Sequence, residues 1–443
     1  MLCVVRQPWV LLLMALLPGA ALAEADDPLL TPVTAAERQL ASWDDALTLW
    51  RENSTDLRIA AAETLRAHGR RRVSLGALLP SISGSALASF SLLPAPEGGD
   101  ATTSALFGAA PYQAATLVAQ LAVIDARSWN ALAAAIDSEK AVDLSVADAR
   151  RLLLLSLAQG LLSVVTSERV AELNRVGLRD ALDRLHLAER SNRAGANTEI
   201  DLGRLRQDTE AARAQVVSGD EALRQSREAL ALALGVDGAV GVRPDFQLNG
   251  LADQLNGSCH AVSSLEQRPD QLAAKARVDV AQRSVLDVKA QFLPSVGLRS
   301  TAQLFIFPGQ GVFPIWNLQA VLTVPIWDGG SRYGALRDAH AQVSQAQARA
   351  VGAQRSGRVD VERAKRGVAV AQKARDIASA SFEQAAKTDA LTRRAFDAGL
   401  GTSLELVTAA SSLRQQQLNL ALREYDVIRA QVIALFALAD CPL

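Results

Sequence analysis

The sequence predicts an α+β membrane protein assembled from two copies of one unit, in which pairs of amphipathic strands are joined to long helical arms. Three observations predict it: a set of identities recurs in the same order in both halves, two long stretches contain no proline, and two charge-poor windows alternate with period two.

The duplication comes first. Asp56 to Ser81 aligns without gaps on Asp270 to Ser295, and both copies end in Leu-Pro-Ser, at Leu79 to Ser81 and Leu293 to Ser295. Val123 to Ser128 matches Ile326 to Ser331, Ala194-Gly195 matches Ala398-Gly399, and Leu234-Gly235 falls opposite Leu438-Ala439. In an Ala-rich chain each identity is weak; their shared order marks a tandem repeat. The expected units are 24–250 and 251–443, each with a helix, a strand hairpin and a long helical hairpin. Ahead of them, Arg6, the apolar run Val10 to Leu17, the break at Pro18-Gly19 and Ala21-Leu22-Ala23 form a secretory signal peptide over 1–23. Cys3 leaves with it, and for Cys259 and Cys441 both one bridge and two free thiols fit the sequence.

The net charge of -1 argues against nucleic acid as a partner. The helical segments carry charges throughout, so no stretch after the signal reads as a transmembrane helix, and a membrane crossing must use strands.

The arms follow from proline placement. None occurs between Pro111 and Pro244 or between Pro325 and Pro442, and proline breaks helix interiors. Each span is rich in helix formers and interrupted once, near Gly195 or Gly399, so each predicts a helical hairpin. An arm from Ser128 to Asn192 measures about 95 Å at 1.5 Å per residue. Arms of that length must pack along one another as a coiled-coil-like array, with alanines permitting close approach.

The strands follow from the charge-poor windows, which predict hairpins over 81–125 and 295–328. Val296, Leu298, Ala302, Leu304 and Ile306 alternate with Gly297, Arg299, Thr301 and Gln303; Leu318, Ala320, Leu322, Val324 and Ile326 alternate with Asn317, Gln319 and Thr323. In the first half Ile82, Ala86, Ala88, Phe90 and Leu92 alternate with serines, and Leu117, Ala119, Leu121 and Val123 form a fourth apolar face. Four strands of about ten residues have the length of tilted bilayer-spanning strands. Their polar faces, carrying Arg299, Thr301, Gln303, Gln319 and Thr323, are assigned to a barrel lumen. Pro94, Pro96, Gly98 and Gly99, then Pro308, Gly309 and Gly311, supply turns. Of the 19 aromatic residues 11 lie in windows 79–130 and 292–333, read as a girdle at the lipid interface in preference to a soluble β-sandwich. Four strands cannot close a barrel, and open strand edges cannot face lipid, so the chain must oligomerise.

The tandem units, the two Leu-Pro-Ser signals, Pro325 to Gly330 at the exit of the last strand, Ala-Gly-x-x-Thr at both helical turns and the Arg268-Pro269-Asp270 start of the second unit together resemble the TolC-like outer-membrane efflux protein family. The resemblance covers nearly the whole mature chain. It implies a trimer whose twelve strands close one β-barrel, continuous with an α-helical tunnel across the periplasm, in the outer membrane of a Gram-negative bacterium. Such a channel is a passive exit duct of a tripartite efflux or type I secretion system, served by an inner-membrane pump and a periplasmic adaptor. The chain departs from the family pattern in a first hairpin longer by about eleven residues and in Ala126-Arg127 where the second strand exit has Gly329-Gly330.

The resemblance also places an acidic gate just past the second turn, where Glu405 stands, with Thr408 in the position of a second acid. Three converging carboxylates would repel one another and attract cations. Thr198 with Asp201 and Thr402 with Glu405 also have capping-box spacing, which needs no pore. Arg193, Arg393 and Arg394 read either as inter-helix ion pairs holding the mouth shut or as solvated charges. Gly195, Thr198, Gly399, Gly401 and Thr402 are the candidate turn contacts for the adaptor.

No enzyme signature occurs: His68, His186, His260 and His340 lack metal-ligand spacing and read as solvated, and neither a nucleophile elbow nor a phosphate loop is present. No cofactor is expected. The competing reading is a periplasmic coiled-coil structural or adaptor protein whose charge-poor windows form a small soluble β-domain.

Overall fold

A computed structural model describes residues 27–90, 112–193, 198–244, 246, 259–307 and 311–441. The signal peptide, Leu92, the turn residues Pro94, Pro96, Gly98, Gly99, Pro308 and Gly309, and Gly195 lie outside them.

After β1 (Arg38–Leu40), two helices, α1 (Trp43–Asn53) and α2 (Thr55–Gly76), are separated by Ser54 alone. The Ser54 N–H bonds to the Trp50 carbonyl to end α1, and its side chain accepts from Leu57 N to start α2. Strands β2 (Ser81–Ser89) and β3 (Tyr112–Ile124) lead into α3 (Ala126–Arg193) and α4 (Glu199–Leu234). The short strands β4 (Val240–Val242) and β5 (His260–Ala261) precede α5 (Pro269–Ala290), β6 (Ser295–Phe307), β7 (Gly311–Thr323), α6 (Ser331–Asp397), α7 (Ser403–Ala437) and β8 (Ala439–Asp440). The helices α2, α3 and α4 have 22, 68 and 36 residues; α5, α6 and α7 have 22, 67 and 35. A helix of 68 residues is about 100 Å long.

The four long strands form one antiparallel sheet in the order β2-β3-β6-β7. Ser81 pairs with Gln120, Gln120 with Arg299, and Arg299 with Gln319, which fixes one polar row across all four strands. The same registers put Ile82, Ala119, Ser300 and Leu318 in one row of the opposite face. That face is apolar apart from Gln113 and Ser300, and the Ser300 hydroxyl accepts from the Trp316 indole N–H at 2.9 Å. A register shift between Ala122 and Ile124 ends the regular ladder of β3. Strand β7 departs from the sequence expectation: it begins at Gly311 and stops at Thr323, so Val324 and Ile326 lie beyond it. Pro314, within it, masked its first half, yet proline is tolerated on an edge strand.

Where strand meets arm, Asp328 accepts from the backbone N–H of Gly330 and Arg332 and from the Arg332 guanidinium at 2.7 Å. Arg332 also donates to the carbonyls of Gln291 and Pro325 and lies 4.8 Å over the Phe292 ring, tying the end of α5 to the start of α6.

The main core lies partway along the helices. Trp43, Leu47 and Trp50 of α1 pack with Leu154, Leu157 and Leu161 of α3, Leu230 and Leu234 of α4, and Val432 and Phe436 of α7. This corrects one expectation: α3 does contain a window apolar enough in length and composition to cross a membrane, and its buried leucines face this core. Gly235, at φ 75°, ends α4 against α1, where a Cβ would stand 2.4 Å from the Asn53 carbonyl oxygen. Two miniature sheets flank the core, parallel β1-β4 and antiparallel β5-β8. Beside the second, Cys259 and Cys441 are bonded as a disulfide and both are buried. The Arg268-Pro269-Asp270 motif starts α5: buried Arg268 grips Asp270 through two hydrogen bonds of 2.6 and 2.7 Å and donates to the Ala437 carbonyl.

Candidate functional site

The candidate gate sits at the two helical turns. Helix α6 ends in a Schellman motif: Gly399, at φ 73°, donates to the Phe396 carbonyl at 2.9 Å, and Leu400 donates to the Ala395 carbonyl at 2.8 Å. A Cβ on Gly401 would stand 3.1 Å from Phe396 N, so the turn is tight at that position as well.

Both returning helices begin with a complete capping box. Thr198 accepts from Asp201 N while Asp201 accepts from Thr198 N, and Thr402 and Glu405 repeat the exchange, with Thr402 N 2.8 Å from Glu405 Oε2. The two carboxylates then differ. Asp201 also accepts from the Ser403 hydroxyl and lies 3.7 Å from Arg204, whose guanidinium donates to Ser403 Oγ. The Ser403 and Thr198 hydrogen bonds hold its carboxyl below the ordinary carboxylate range. Glu405 is exposed, and its carboxyl is lowered only by bonds from Thr402. Between the turns lies a groove of about 580 Å³ whose lining includes Ala188, Asp201, Phe396, Gly401, Thr402 and Ser403.

The arginines singled out from the sequence make no inter-helix ion pair within the chain, among the described residues. Arg193 donates to the Glu189 carbonyl one turn earlier, and Arg393 lies 3.5 Å from Asp389 of its own helix. Arg394 has no ion pair among the described residues. The inter-helix pairing is supplied instead by residues the sequence did not single out. Buried Asp208 of α4 accepts from Arg184 of α3 and from Arg414 of α7, both at 3.3 Å, so one carboxylate joins three helices. Burial pushes the Arg184 guanidinium below its ordinary value, and Asp208 opposes that shift. Gly177 leaves room for the network, since a Cβ there would stand 2.7 Å from Arg414 Cδ. A helix-interior glycine opposite an arginine was the available signal. His68, read as solvated, has Nδ1 2.7 Å from Glu139.

On the sheet, the registers put Arg299, Thr301, Gln303, Gln319 and Thr323 on one face, with Ser81, Ser83, Ser85, Thr116 and Gln120. The aromatic residues need a correction. Tyr112, Phe305, Phe307 and Phe313 stand on this same polar face, at its hairpin end, because 305, 307 and 313 share the parity of Arg299 and Tyr112 that of Gln120. They are not on the apolar face.

A family model described as "Outer membrane efflux protein" matches residues 46–236 and 261–439. The chain is 24% identical over 422 residues to the pyoverdine export outer membrane protein OpmQ of Pseudomonas putida, covering 90% of this chain and 87% of that one. It is 24% identical over 296 residues to the toluene efflux pump outer membrane protein TtgC of the same species, spanning 64% of this chain but 59% of that protein. Among solved structures, the outer membrane channel CmeC of Campylobacter jejuni superposes with a TM-score of 0.74 at 16% identity, over 95% of this chain and 94% of that one. The outer membrane protein VceC of Vibrio cholerae does so at 0.72 and 19%, over 89% and 95%. With both halves matched over most of its length, this chain belongs to the outer membrane efflux protein family and is an outer-membrane efflux duct.

Proposed function

We propose that three copies of the chain close a twelve-stranded barrel, with β7 of one copy pairing to β2 of the next, above a periplasmic tunnel of helical arms. The observation that carries this reading is a four-stranded sheet with one apolar and one polar face, whose outer strands β2 and β7 each leave one edge unpaired among the described residues. Strand β2 leads from a helix to the hairpin end and β7 leads back, so joining them continues the antiparallel order. The polar face, with Arg299, Thr301, Gln303, Gln319 and Thr323, then lines the lumen. Helices of 67 and 68 residues supply the length a periplasmic tunnel needs. The family assignment favours this duct over the adaptor reading. The units 24–250 and 251–443 are its two repeats.

In this reading the duct is passive. An inner-membrane pump delivers cargo through a periplasmic adaptor that grips the turn residues Thr198, Gly399, Gly401, Thr402 and, outside the described residues, Gly195. Relatives named for pyoverdine export and toluene efflux serve very different cargoes, which puts substrate choice in the pump. Detergent-solubilised protein should have the mass of three chains and conduct in a bilayer; a stable folded monomer overturns the barrel.

The gate reading concerns Glu405, supported by its exposure and by its having no partner beyond Thr402 among the described residues. Asp201, Arg393 and Arg394 would flank it. Glu405→Gln retains a side chain competent in the capping box. Loss of cation selectivity or divalent block at unchanged melting temperature supports a charged ring; lost stability with unchanged selectivity makes Glu405 a helix cap alone.

A further inference from the structure

We propose that Tyr112, Phe305, Phe307 and Phe313 form an aromatic collar at the outer end of the lumen, a site that binds planar aromatic molecules as they leave. The proposal rests on the barrel reading above, which makes the polar face of the sheet the wall of the pore.

The rows of that face change character along the strands. Towards the helical arms the wall reads Ser81, Gln120, Arg299 and Gln319, then Ser83, Val118, Thr301 and Asn317. Ser85, Thr116, Gln303 and Ile315 follow, and at the hairpin end Phe305 pairs with Phe313 while Phe307 pairs with Gly311. Tyr112 joins the aromatic group across β3 and β6: its ring centroid is 5.9 Å from Phe307 and 6.4 Å from Phe305. Phe305 and Phe307 stack at 6.3 Å and 16°, and Phe313 meets Phe307 edge-on at 5.8 Å and 68°.

These contacts fix the rings against one another and leave Tyr112, Phe305 and Phe307 half-buried rather than enclosed. Among the described residues the sheet is a single layer, with no second layer packed on this face, and Phe313 stays 48% exposed. An interfacial anchor would stand on the opposite face, where Trp316 stands. Rings held on a water-filled wall retain faces that pair with another ring, in offset or edge-on geometry, and do so with a preference that an aliphatic body of equal size lacks. The polar rows nearer the arms offer hydroxyls and amides, which water satisfies equally well. Three copies would place twelve rings around the exit. The occupant is a planar aromatic cargo molecule in transit.

The test uses the reconstituted full chain, with 2-naphthol as probe and its saturated counterpart decahydro-2-naphthol as control, read as current blockades of single channels. The expected result is longer residence for 2-naphthol, reduced on the order of tenfold in the double variant Phe305→Leu with Phe313→Leu, with little change for the saturated probe. Trp316→Leu, on the opposite face, should leave the blockades unchanged. If the double variant fails to assemble, Tyr112→Leu is read the same way. Normal conductance with equal residence of the two probes in the wild type, or equal loss in Trp316→Leu, overturns the collar alone. Absence of trimeric conducting channels in the wild type overturns the barrel reading, and the collar with it.

Discussion

The two long helices of this chain, α3 and α6, have nearly equal length and equivalent places in the repeat, yet they are packed very differently. In α3, 18 of 68 residues are buried, among them Leu154, Leu157, Leu161, Val164 and Leu178. In α6 only 7 of 67 are buried, mostly small: Ala339, Gly357, Val361, Ala364, Ala378, Ala385 and Asp389. Val370, Ile377 and Leu391 of α6 stand 67%, 61% and 63% exposed. One arm buries a row of large apolar side chains inside the chain, and the other buries mostly small ones and presents apolar side chains outward. The turns repeat the contrast: Asp201 is engaged by Ser403 and Arg204, whereas among the described residues Glu405 bonds only to its own cap.

Breaking the inner arm should have the largest effect. Asp208→Ala leaves Arg184 and Arg414 without their shared carboxylate, and removing one partner of a buried ion pair costs about 3–5 kcal/mol. A denaturant melt of the solubilised protein should show that loss without dependence on protein concentration. The sheet should respond by face. Leu322→Arg, on the apolar face, is expected to cost about 2–4 kcal/mol of membrane assembly, and Thr323→Arg distinctly less. Equal damage at both positions would reverse the assignment of faces.

The outer arm should fail differently. Ile377→Glu is expected to cost about 1.5–3 kcal/mol of assembly, the value of burying one such side chain, and to appear as loss of trimer rather than as a lower monomer melting point. If Ile377→Glu and Asp208→Ala behaved alike, the contrast between the arms would fall. The smallest effects belong to the caps: Thr198→Ala and Thr402→Ala should each cost about 1 kcal/mol. The turns should also separate by pH. The carboxyl of Asp201 is held below its ordinary value, so the folded state binds fewer protons than the unfolded one. Its stabilisation is complete above the ordinary carboxylate range and is lost as pH falls through the lower folded value. Melting temperatures on either side of about pH 4 should converge for wild type and Asp201→Asn at the acid end.

Much of this architecture was legible because its signals are long. Proline-free spans exposed the arms, and strict alternation exposed the strands and the shared face of Arg299, Thr301 and Gln303. What escaped notice carries no period. Strands of two or three residues such as β1, β4, β5 and β8 have none, and the Trp43 and Trp50 core joins segments distant in sequence. Charges on a long helix look solvated until a neighbouring helix is placed beside them, which hid Asp208. Counting aromatics by window discarded their parity, and parity is what moves Phe305, Phe307 and Phe313 off the apolar face. At the second turn, Thr402 and Glu405 gave the cap directly, whereas the link from Ser403 to Asp201 spans 202 residues and has no local trace.

The bond between Cys259 and Cys441 makes residues 259–441 a closed covalent ring with a sequence separation of 182 residues. A single backbone cut anywhere between the two cysteines would leave the polypeptide in one piece until a reductant was added. The ring also imposes an order on biogenesis: it cannot form until Cys441 has followed Cys259 out of the reducing interior of the cell.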